Sequence, residues 1–227
     1  DPFNVERIWD RMYQPKIFGR KGLTTRALSA IDIALWDVIA RAIGRPLYQI
    51  LGGYTDEVRA YIAGGYYSPG KGIRELQDEM LSYVDQGANA VKMKIGAVSL
   101  REDERRVAAV RDAIGDDIDL LVDANNAYVV ADAVRMARIL EEYRVFWFEE
   151  PVSPDNMRGS ASTARASSVP VAAGENEYTR WGFRELFERD AVQIANPDAM
   201  VLGGVTEYKR VAALASAYEI PIAPHGL

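Results

Sequence analysis

The chain has 227 residues, of which 48% are hydrophobic and 26% charged, and its formal net charge is −6. These fractions are typical of a folded globular protein. The acidic balance, without any basic cluster, excludes a nucleic-acid-binding protein and a membrane-surface partner. Cysteine is absent from the sequence, which excludes disulfides and thiolate sites. No apolar run reaches the roughly 20 residues of a membrane span and no signal-peptide pattern occurs, so we expect a cytoplasmic protein.

The first predicted element is an amphipathic helix over residues 25–43. Thr24 or Thr25 can cap its start, and Gly44 followed by Pro46 ends it. Its apolar residues recur at helical spacing, which predicts one buried stripe along the helix. The residues of this stripe are Ala27, Ile31, Ala34, Leu35, Val38 and Ala42.

After this helix, short apolar runs alternate with helical stretches. The predicted helices cover residues 72–86, 101–114, 130–143, 155–167, 180–189 and 204–218. The predicted strands cover residues 58–63, 90–95, 119–123, 145–149, 170–174, 191–195 and 220–223. Near-continuous apolar strands that alternate with helices indicate a parallel sheet covered by helices. A closed barrel of this kind has eight strands, one more than predicted, so we expect the chain to be a fragment of a longer protein.

Ionisable residues end most of these apolar runs, at intervals of 29, 26, 26, 23 and 27 residues. Each interval is about the length of a strand, a helix and two loops. In a parallel barrel, charged groups at successive strand ends gather at one mouth. The spacing therefore predicts a metal and acid–base site at the carboxyl ends of the strands. The residues are Lys94, Asp123, Glu149, Glu175, Asp198 and His225.

Three of these residues, Asp123, Glu149 and Glu175, end consecutive strands, so their carboxylates should converge. Adjacent carboxylates repel one another unless a cation neutralises them. Because oxygen ligands select a hard ion, we expect Mg²⁺, with Mn²⁺ as the second choice. The alternative is that each acid caps the helix that follows its strand.

Lys92 and Lys94 lie two residues apart on one strand, so their side chains point to the same face. Their neighbours Val91, Met93 and Ile95 should face the covering helices. Two ammonium groups on one face oppose each other's charging, which should lower the pKa of at least one lysine and make it a base. The alternative is an exposed edge strand with two solvated lysines.

His225 is the only histidine of the sequence, and a lone histidine is more often structural than catalytic. Asp198 ends the preceding strand, and an aspartate bonded to one ring nitrogen raises the basicity of the other. A divalent cation between a lysine and a histidine suits removal of the proton α to a carboxylate. The metal neutralises the resulting enediolate, and each base serves one face of the α-carbon.

Several longer motifs are specific when taken together. They are SAIDIALWD, GRPLYQILGG, VKMKIG, VDANNAY, WFEEP, GEN, NPDAMVLGG and APHG. With these motifs, the chain from about Ala27 onwards resembles the mandelate racemase branch of the enolase superfamily (mandelate racemase/muconate lactonizing enzyme-like proteins). The resemblance implies a TIM-like (β/α)7β barrel of the enolase-superfamily type. A Lys or His base with Mg²⁺ is the general description of that superfamily, not a deduction from this sequence.

By position, the resemblance makes the three carboxylates the magnesium ligands. Lys94 becomes one general acid/base, with Lys92 as its partner near the substrate carboxylate, and His225 paired with Asp198 becomes the other base. The muconate cycloisomerase branch instead carries a lysine near the end of the sixth strand. Residues 191–203 contain no lysine, so the sequence disfavours that branch. The resemblance also implies that Asn125 and Glu150 support the metal ligands without binding the metal themselves.

The resemblance also indicates which parts of the family's architecture this sequence lacks. Residues 1–55 would be the C-terminal helical remnant of a capping domain. Residues 56–227 would be a partial (β/α) barrel catalytic domain without its last strand. Both elements that read the substrate in this family would then be missing, so the identity of the substrate stays open.

The function we favour is an Mg²⁺-dependent dehydratase of an acid sugar, an aldonate or aldarate, in a homo-oligomeric enzyme. Polar loop residues suit a polyhydroxylated acid, because an unpaired buried polar group costs about 1–3 kcal/mol. A racemase or epimerase of a 2-hydroxy acid is the nearest alternative; a metal-dependent aldolase and a non-catalytic barrel scaffold are the others. The polar loop residues are Asn125, Asn126, Tyr128, Asn176, Glu177, Tyr178 and Arg180.

Overall fold

The computed structural model describes residues 1–16 and 19–226. The strands in these residues form one parallel sheet whose order follows the sequence, from β1 to β6. Helices connect the successive strands, as parallel pairing requires. This arrangement confirms the predicted α/β class. The strands are β1 (Ile62–Gly64), β2 (Ala90–Lys94), β3 (Asp119–Asp123), β4 (Trp147–Glu149), β5 (Val171–Ala173) and β6 (Ile194–Ala195).

All the predicted helices are present, with ends that differ by a few residues at most. The sequence did not predict α1, α3 and α9, of which the last two have four residues each. Among the described helices, none combines the length and the apolar character that crossing a membrane demands. The helices are α1 (Val5–Met12), α2 (Leu23–Ile43), α3 (Leu47–Ile50), α4 (Ile73–Asp85), α5 (Leu100–Ile114), α6 (Val130–Glu142), α7 (Met157–Ala164), α8 (Thr179–Glu188), α9 (Ala199–Leu202) and α10 (Gly204–Ala217).

Three predicted strands differ from the structure by three residues or more, and one of them, predicted over residues 191–195, begins only at Ile194. The first begins at Ile62 and not at Val58, which is 85% exposed. The strand predicted over residues 220–223 is a single parallel bridge between Ala195 and Ile222. Pro221 has no N–H to donate to a sheet neighbour, which limits the ladder at this point. The prediction of a full seventh strand was therefore wrong.

Residues 59–172 and 189–193 form one compact unit. Its core packs the apolar side chains of the strands against α4, α5 and α6. Val91, Met93 and Ile95 belong to this core, as expected from the alternation along β2, so Lys92 and Lys94 lie on the other face. The fully buried core residues from the three helices are Leu76, Met80, Val107, Val110, Met136 and Leu140.

Residues 1–16, 19–58, 173–188 and 194–226 form the other compact unit. In this unit the predicted apolar stripe of α2 was wrong, because most of its residues are exposed, Ile31 at 49% and Val38 at 47%. Hydrophobic periodicity selected the wrong face, since the buried face includes polar side chains. The buried residues of α2 are Thr25, Leu28, Ser29, Asp32, Trp36 and Ile39.

The polar residues of this buried face bind Gly203, between α9 and α10, and the first turn of α10. The Ser29 hydroxyl accepts a hydrogen bond from the Gly203 amide at 2.9 Å. The Asp32 carboxylate accepts two from Thr206, from the amide at 2.9 Å and the hydroxyl at 2.6 Å. Gly204 has a φ of +85°, and a Cβ there would lie 2.4 Å from an Asp32 oxygen. Glycine is required here by both the conformation and the close approach.

Candidate active site

The ends of β2, β3 and β4 bring two lysines and two carboxylates together. The parallel register aligns Lys94 with Asp123, and Asp123 with Glu149. The Lys94 ammonium donates to Asp123 Oδ2 at 2.5 Å. The Lys92 ammonium donates to both oxygens of Glu149, at 2.9 and 2.8 Å. The lysines are thus paired with carboxylates and are not solvated on an edge strand.

Lys92 has an electrostatic environment that differs from the one we expected. Burial alone would lower its pKa, but the carboxylate of Glu149, together with Tyr61 and Asp123, outweighs burial and raises the pKa above its ordinary value. The pKa of Lys92 is therefore raised, whereas repulsion from the neighbouring lysine alone would lower it. The expectation of a lowered pKa considered the repulsion between the two lysines and left out the attraction of the neighbouring carboxylates.

Asp123 and Glu149 are almost fully inaccessible, with 0% and 1% exposure. The Asn125 amide donates to Asp123 Oδ1 at 2.8 Å, so the backbone of Asn125 supports this carboxylate. The Glu150 carboxylate instead accepts from the Asn126 side-chain amide at 2.7 Å. This bond, with the Asn126 amide donating to the Glu150 carbonyl at 2.8 Å, joins the loops that follow β3 and β4.

Two aromatic residues next to the charged groups were not predicted. Trp147 donates its indole N–H to Glu149 Oε2 at 3.0 Å. The Tyr61 hydroxyl lies 3.3 Å from the Lys92 ammonium, and its ring packs edge-on against Trp147. Trp147 could have been found from the sequence, because it lies two residues before Glu149 and so shares its face of the strand. Tyr61 precedes the observed β1, and alternation gave no signal for it.

In the other unit, His225 lies between two carboxylates. Its Nδ1 is 2.9 Å from Asp198 Oδ2 and its Nε2 is 3.3 Å from Glu175 Oε2. The His225 amide also donates to the Pro197 carbonyl at 3.0 Å, which fixes the backbone. Asp198 has a second role, because its Oδ1 accepts from the Met200 amide at 2.7 Å and caps α9. Asp198 therefore caps α9 with one carboxylate oxygen and bonds to His225 with the other.

Asp123, Glu149 and Glu175 are the three carboxylates predicted as metal ligands. Asp123 and Glu149 lie in register at the paired ends of β3 and β4, and Glu175 lies two residues after β5. A set of carboxylate oxygens fits a hard cation such as Mg²⁺.

Several of the polar loop residues predicted to suit a polyhydroxylated substrate have partners within the protein. The Tyr128 hydroxyl donates to Asp103 at 2.9 Å. Arg180 pairs with Glu207, Glu177 with Lys21, and Tyr178 accepts from Arg26. For these residues, the structural contacts account for the polar side chain.

Comparison with known proteins supports the resemblance found in the sequence. The family description "Enolase C-terminal domain-like" matches residues 75–227. The description "Mandelate racemase / muconate lactonizing enzyme, N-terminal domain" matches residues 1–52. The chain belongs to the mandelate racemase / muconate lactonizing enzyme family of the enolase superfamily.

Among the relatives in this family, the arabinonate dehydratase of Saccharolobus solfataricus is 41% identical over 97% of the chain and 60% of its own length. A racemase structure from Streptomyces coelicolor A3(2) with bound magnesium has a TM-score of 0.94 at 36% identity, covering 100% of this chain and 63% of that one. An L-talarate dehydratase structure from Polaromonas sp. JS666, complexed with Mg and L-glucarate, has a TM-score of 0.93 at 34% identity. It covers 100% of this chain and 64% of that one.

These comparisons confirm the predicted family and the enolase-superfamily type of fold. The chain spans 60% of the length of the arabinonate dehydratase. The division into domains at residue 55 stays a prediction.

Proposed function

We propose that the protein removes the proton α to the carboxylate of a sugar acid, with Mg²⁺ held by Asp123, Glu149 and Glu175. The observation that carries this proposal is the position of two candidate bases against these carboxylates. Lys94 lies 2.5 Å from Asp123, and His225 lies 3.3 Å from Glu175. A base beside a cation site suits proton abstraction next to a carboxylate, because the product is a dianion that needs neutralising.

The metal would be needed electrostatically as well as chemically. Asp123 and Glu149 are buried side by side at the paired ends of β3 and β4, so their charges repel each other, and a divalent cation would reduce that repulsion. When bound, the cation supplies Lewis acidity, which neutralises the charge that develops on the substrate carboxylate.

Lys94 would take or return the proton on one face of the α-carbon. Its ammonium has Asp123 on one side and the ring of Tyr66, whose centroid is 5.4 Å away, on another. Lys92, two residues earlier on the same face, would lie beside the substrate carboxylate. Proton transfer by a positioned side chain contributes about 10²–10⁴-fold to a rate.

His225 would serve the opposite face and the leaving group. A carboxylate can only accept a hydrogen bond, so Nδ1 donates to Asp198 and Nε2 is the nitrogen that exchanges a proton. We propose dehydration as the overall reaction. Loss of the α-proton and departure of the β-hydroxyl as water, with a proton from Nε2, leave an enol that tautomerises to a 2-keto-3-deoxy acid.

The sugar-acid substrate is supported by the relatives, two of which are named arabinonate dehydratase and L-talarate dehydratase. A racemase or epimerase is the second candidate, because the structure from Streptomyces coelicolor is described as a racemase. Both reactions begin with the same proton abstraction. Cytoplasmic location and homo-oligomeric assembly stay predictions of the sequence.

A screen of aldonates and aldarates with the full-length protein tests this proposal. Each acid is incubated with Mg²⁺, and 2-keto acid formation and inversion at the α-carbon are measured separately. We expect a 2-keto product that disappears on chelation and in the Lys94→Ala variant. Racemisation without a 2-keto product would replace dehydration by the second candidate. Neither product from any acid would contradict both.

A further inference from the structure

Asp103, in the first turn of α5, is a carboxylate with no exposure to solvent at all. Its neighbour Glu102 has the more usual environment, because it pairs with Arg105 at the surface. Burying a carboxylate is costly unless hydrogen bonds replace the lost water. The position of Asp103 therefore requires strong partners.

Those partners come from the loops that follow three consecutive strands. Asp103 Oδ1 accepts from the Tyr67 hydroxyl at 2.5 Å, after β1. Asp103 Oδ2 accepts from the Gly96 amide at 2.8 Å, after β2, and from the Tyr128 hydroxyl at 2.9 Å, after β3. One side chain thus joins the carboxyl ends of β1, β2 and β3.

The two tyrosines are suited to donate to this carboxylate. Burial, followed by hydrogen bonding to Asp103 and the charge of Asp103, raises the pKa of Tyr67 far above its ordinary value. Burial and the charge of the same carboxylate raise the pKa of Tyr128. Both hydroxyls therefore keep their protons at neutral pH, and both bonds run from tyrosine to aspartate.

Arg106, one turn later on α5, binds the same strand ends through their carbonyls. Its Nη2 donates to the Gly65 carbonyl at 2.9 Å and to the Lys94 carbonyl at 3.3 Å. Its guanidinium also lies 4.0 Å from the centroid of the Tyr67 ring. Asp103 binds the Gly96 amide and Arg106 binds the Lys94 carbonyl. Helix α5 therefore holds the Lys94–Gly96 segment at both of its ends.

We infer that Asp103, with Arg106, is a positioning residue for Lys94. The hydrogen bonds of these two side chains to this segment go to its backbone, at the Gly96 amide and the Lys94 carbonyl, from which the Lys94 side chain extends. The inference rests on the proposed function, in which Lys94 moves a proton on one face of the α-carbon. A displacement of about 1 Å can cost about 10²-fold in rate, so small movements of this segment matter.

The test compares α-hydrogen exchange on the two faces. The full-length protein with Mg²⁺ is given two pairs of aldonates that differ only in configuration at the single α-carbon: galactonate with talonate, and arabinonate with ribonate. Deuterium uptake from D₂O is followed by NMR. In Asp103→Ala, exchange on the face served by Lys94 should fall about tenfold to a hundredfold, whereas exchange on the face served by His225 should change less than about twofold.

Three further variants separate positioning from folding. Glu102→Ala removes the neighbouring carboxylate from the same turn of α5 and should leave both rates unchanged. Asp103→Asn keeps the shape and one acceptor oxygen, so it should restore part of the lost rate. Tyr67→Phe removes a single bond to Asp103 and should give a smaller loss on the same face. It serves as the test if Asp103→Ala does not fold.

The outcomes distinguish the inference from the function on which it rests. Selective loss on the Lys94 face, with Mg²⁺ affinity unchanged by calorimetry, supports positioning. Equal loss on both faces, or no loss in folded Asp103→Ala and Tyr67→Phe, overturns it while the proposed function stands. Absence of exchange in the unaltered protein with all four acids would contradict the proposed function, and the inference would fall with it.

Discussion

Asp32 and Thr206 lie 174 positions apart in the sequence, and two hydrogen bonds to the same carboxylate join them, at 2.9 and 2.6 Å. Both residues are buried, Asp32 at 0% and Thr206 at 2% exposure. Asp32→Ala would leave two buried donors of Thr206 without this acceptor. Each such group costs about 1–3 kcal/mol, so we expect a loss of about 3 kcal/mol in the free energy of unfolding, measured by urea denaturation.

Asp37→Ala is the matched control on the same helix. Asp37 pairs with Arg41 one turn later, and its side chain is 58% exposed. Exposed pairs at this spacing contribute about 0.5 kcal/mol or less. Equal effects of the two substitutions would mean that the bonds to Thr206 add no net stability.

In the same helix, the buried face predicted from the sequence was wrong. Periodicity found α2 and its end but chose a face that includes Ile31 and Val38, whereas the structure buries Ser29 and Asp32. Hydrophobic periodicity ranks residues by apolarity, and it cannot reveal that a polar side chain has a partner more than 170 positions away. The strands were easier, because β2 and β3 are buried runs that read directly as parallel strands.

For the candidate site, the sequence predicted the charged residues at strand ends because parallel strands present their carboxyl ends at one edge. It did not predict Tyr61 or Asp103. These two side chains act through contacts with Lys92 and with the backbone near Lys94, and only the positions of all the loops determine such contacts.

Glu79 should make stability depend on pH. Burial alone would raise its pKa, but Lys71, the Tyr83 hydroxyl and the Gly65 amide outweigh burial and lower the pKa from 4.5. A carboxylate with a lowered folded-state pKa contributes stability above its unfolded value, and loses it as the pH falls through the folded value. Glu79→Gln should therefore cost about 1 kcal/mol near neutral pH.

That difference between Glu79→Gln and the unaltered protein should stay constant down to about pH 4.5 and shrink below it. Denaturant melts across this range measure it. Glu188→Gln, at a side chain 54% exposed, is the control and should change stability little at any pH. A difference that grows on acidification would contradict the sign derived for Glu79.

Glu149→Gln tests the metal site. The substitution keeps the size of the side chain and removes one of the negative charges offered to the cation. Residues that only orient a metal ligand cost about 10–100-fold in affinity when changed, so loss of a ligand charge should cost at least about a hundredfold. Calorimetric titration with Mg²⁺ measures the change.

Asp119→Asn is the control for this measurement, because Asp119 begins the strand that Asp123 ends and pairs there with Arg59. It removes a carboxylate of the same unit without touching the proposed ligands, and Mg²⁺ affinity should stay the same. Unchanged Mg²⁺ binding by folded Glu149→Gln would remove Glu149 from the site.

The two proposed bases predict opposite stereochemical defects. Lys94→Ala should abolish α-hydrogen exchange in D₂O for one configuration at the α-carbon, and His225→Asn for the other, because each base serves one face. Lys209→Ala, which changes a lysine whose ammonium lies 5.6 Å from the ring centroid of Trp36, should leave both rates intact. NMR of paired acids that differ only at the α-carbon reads the two rates separately. Equal loss for both configurations in both variants would mean that lysine and histidine act as one unit, and the assignment of one base to each face would then be wrong.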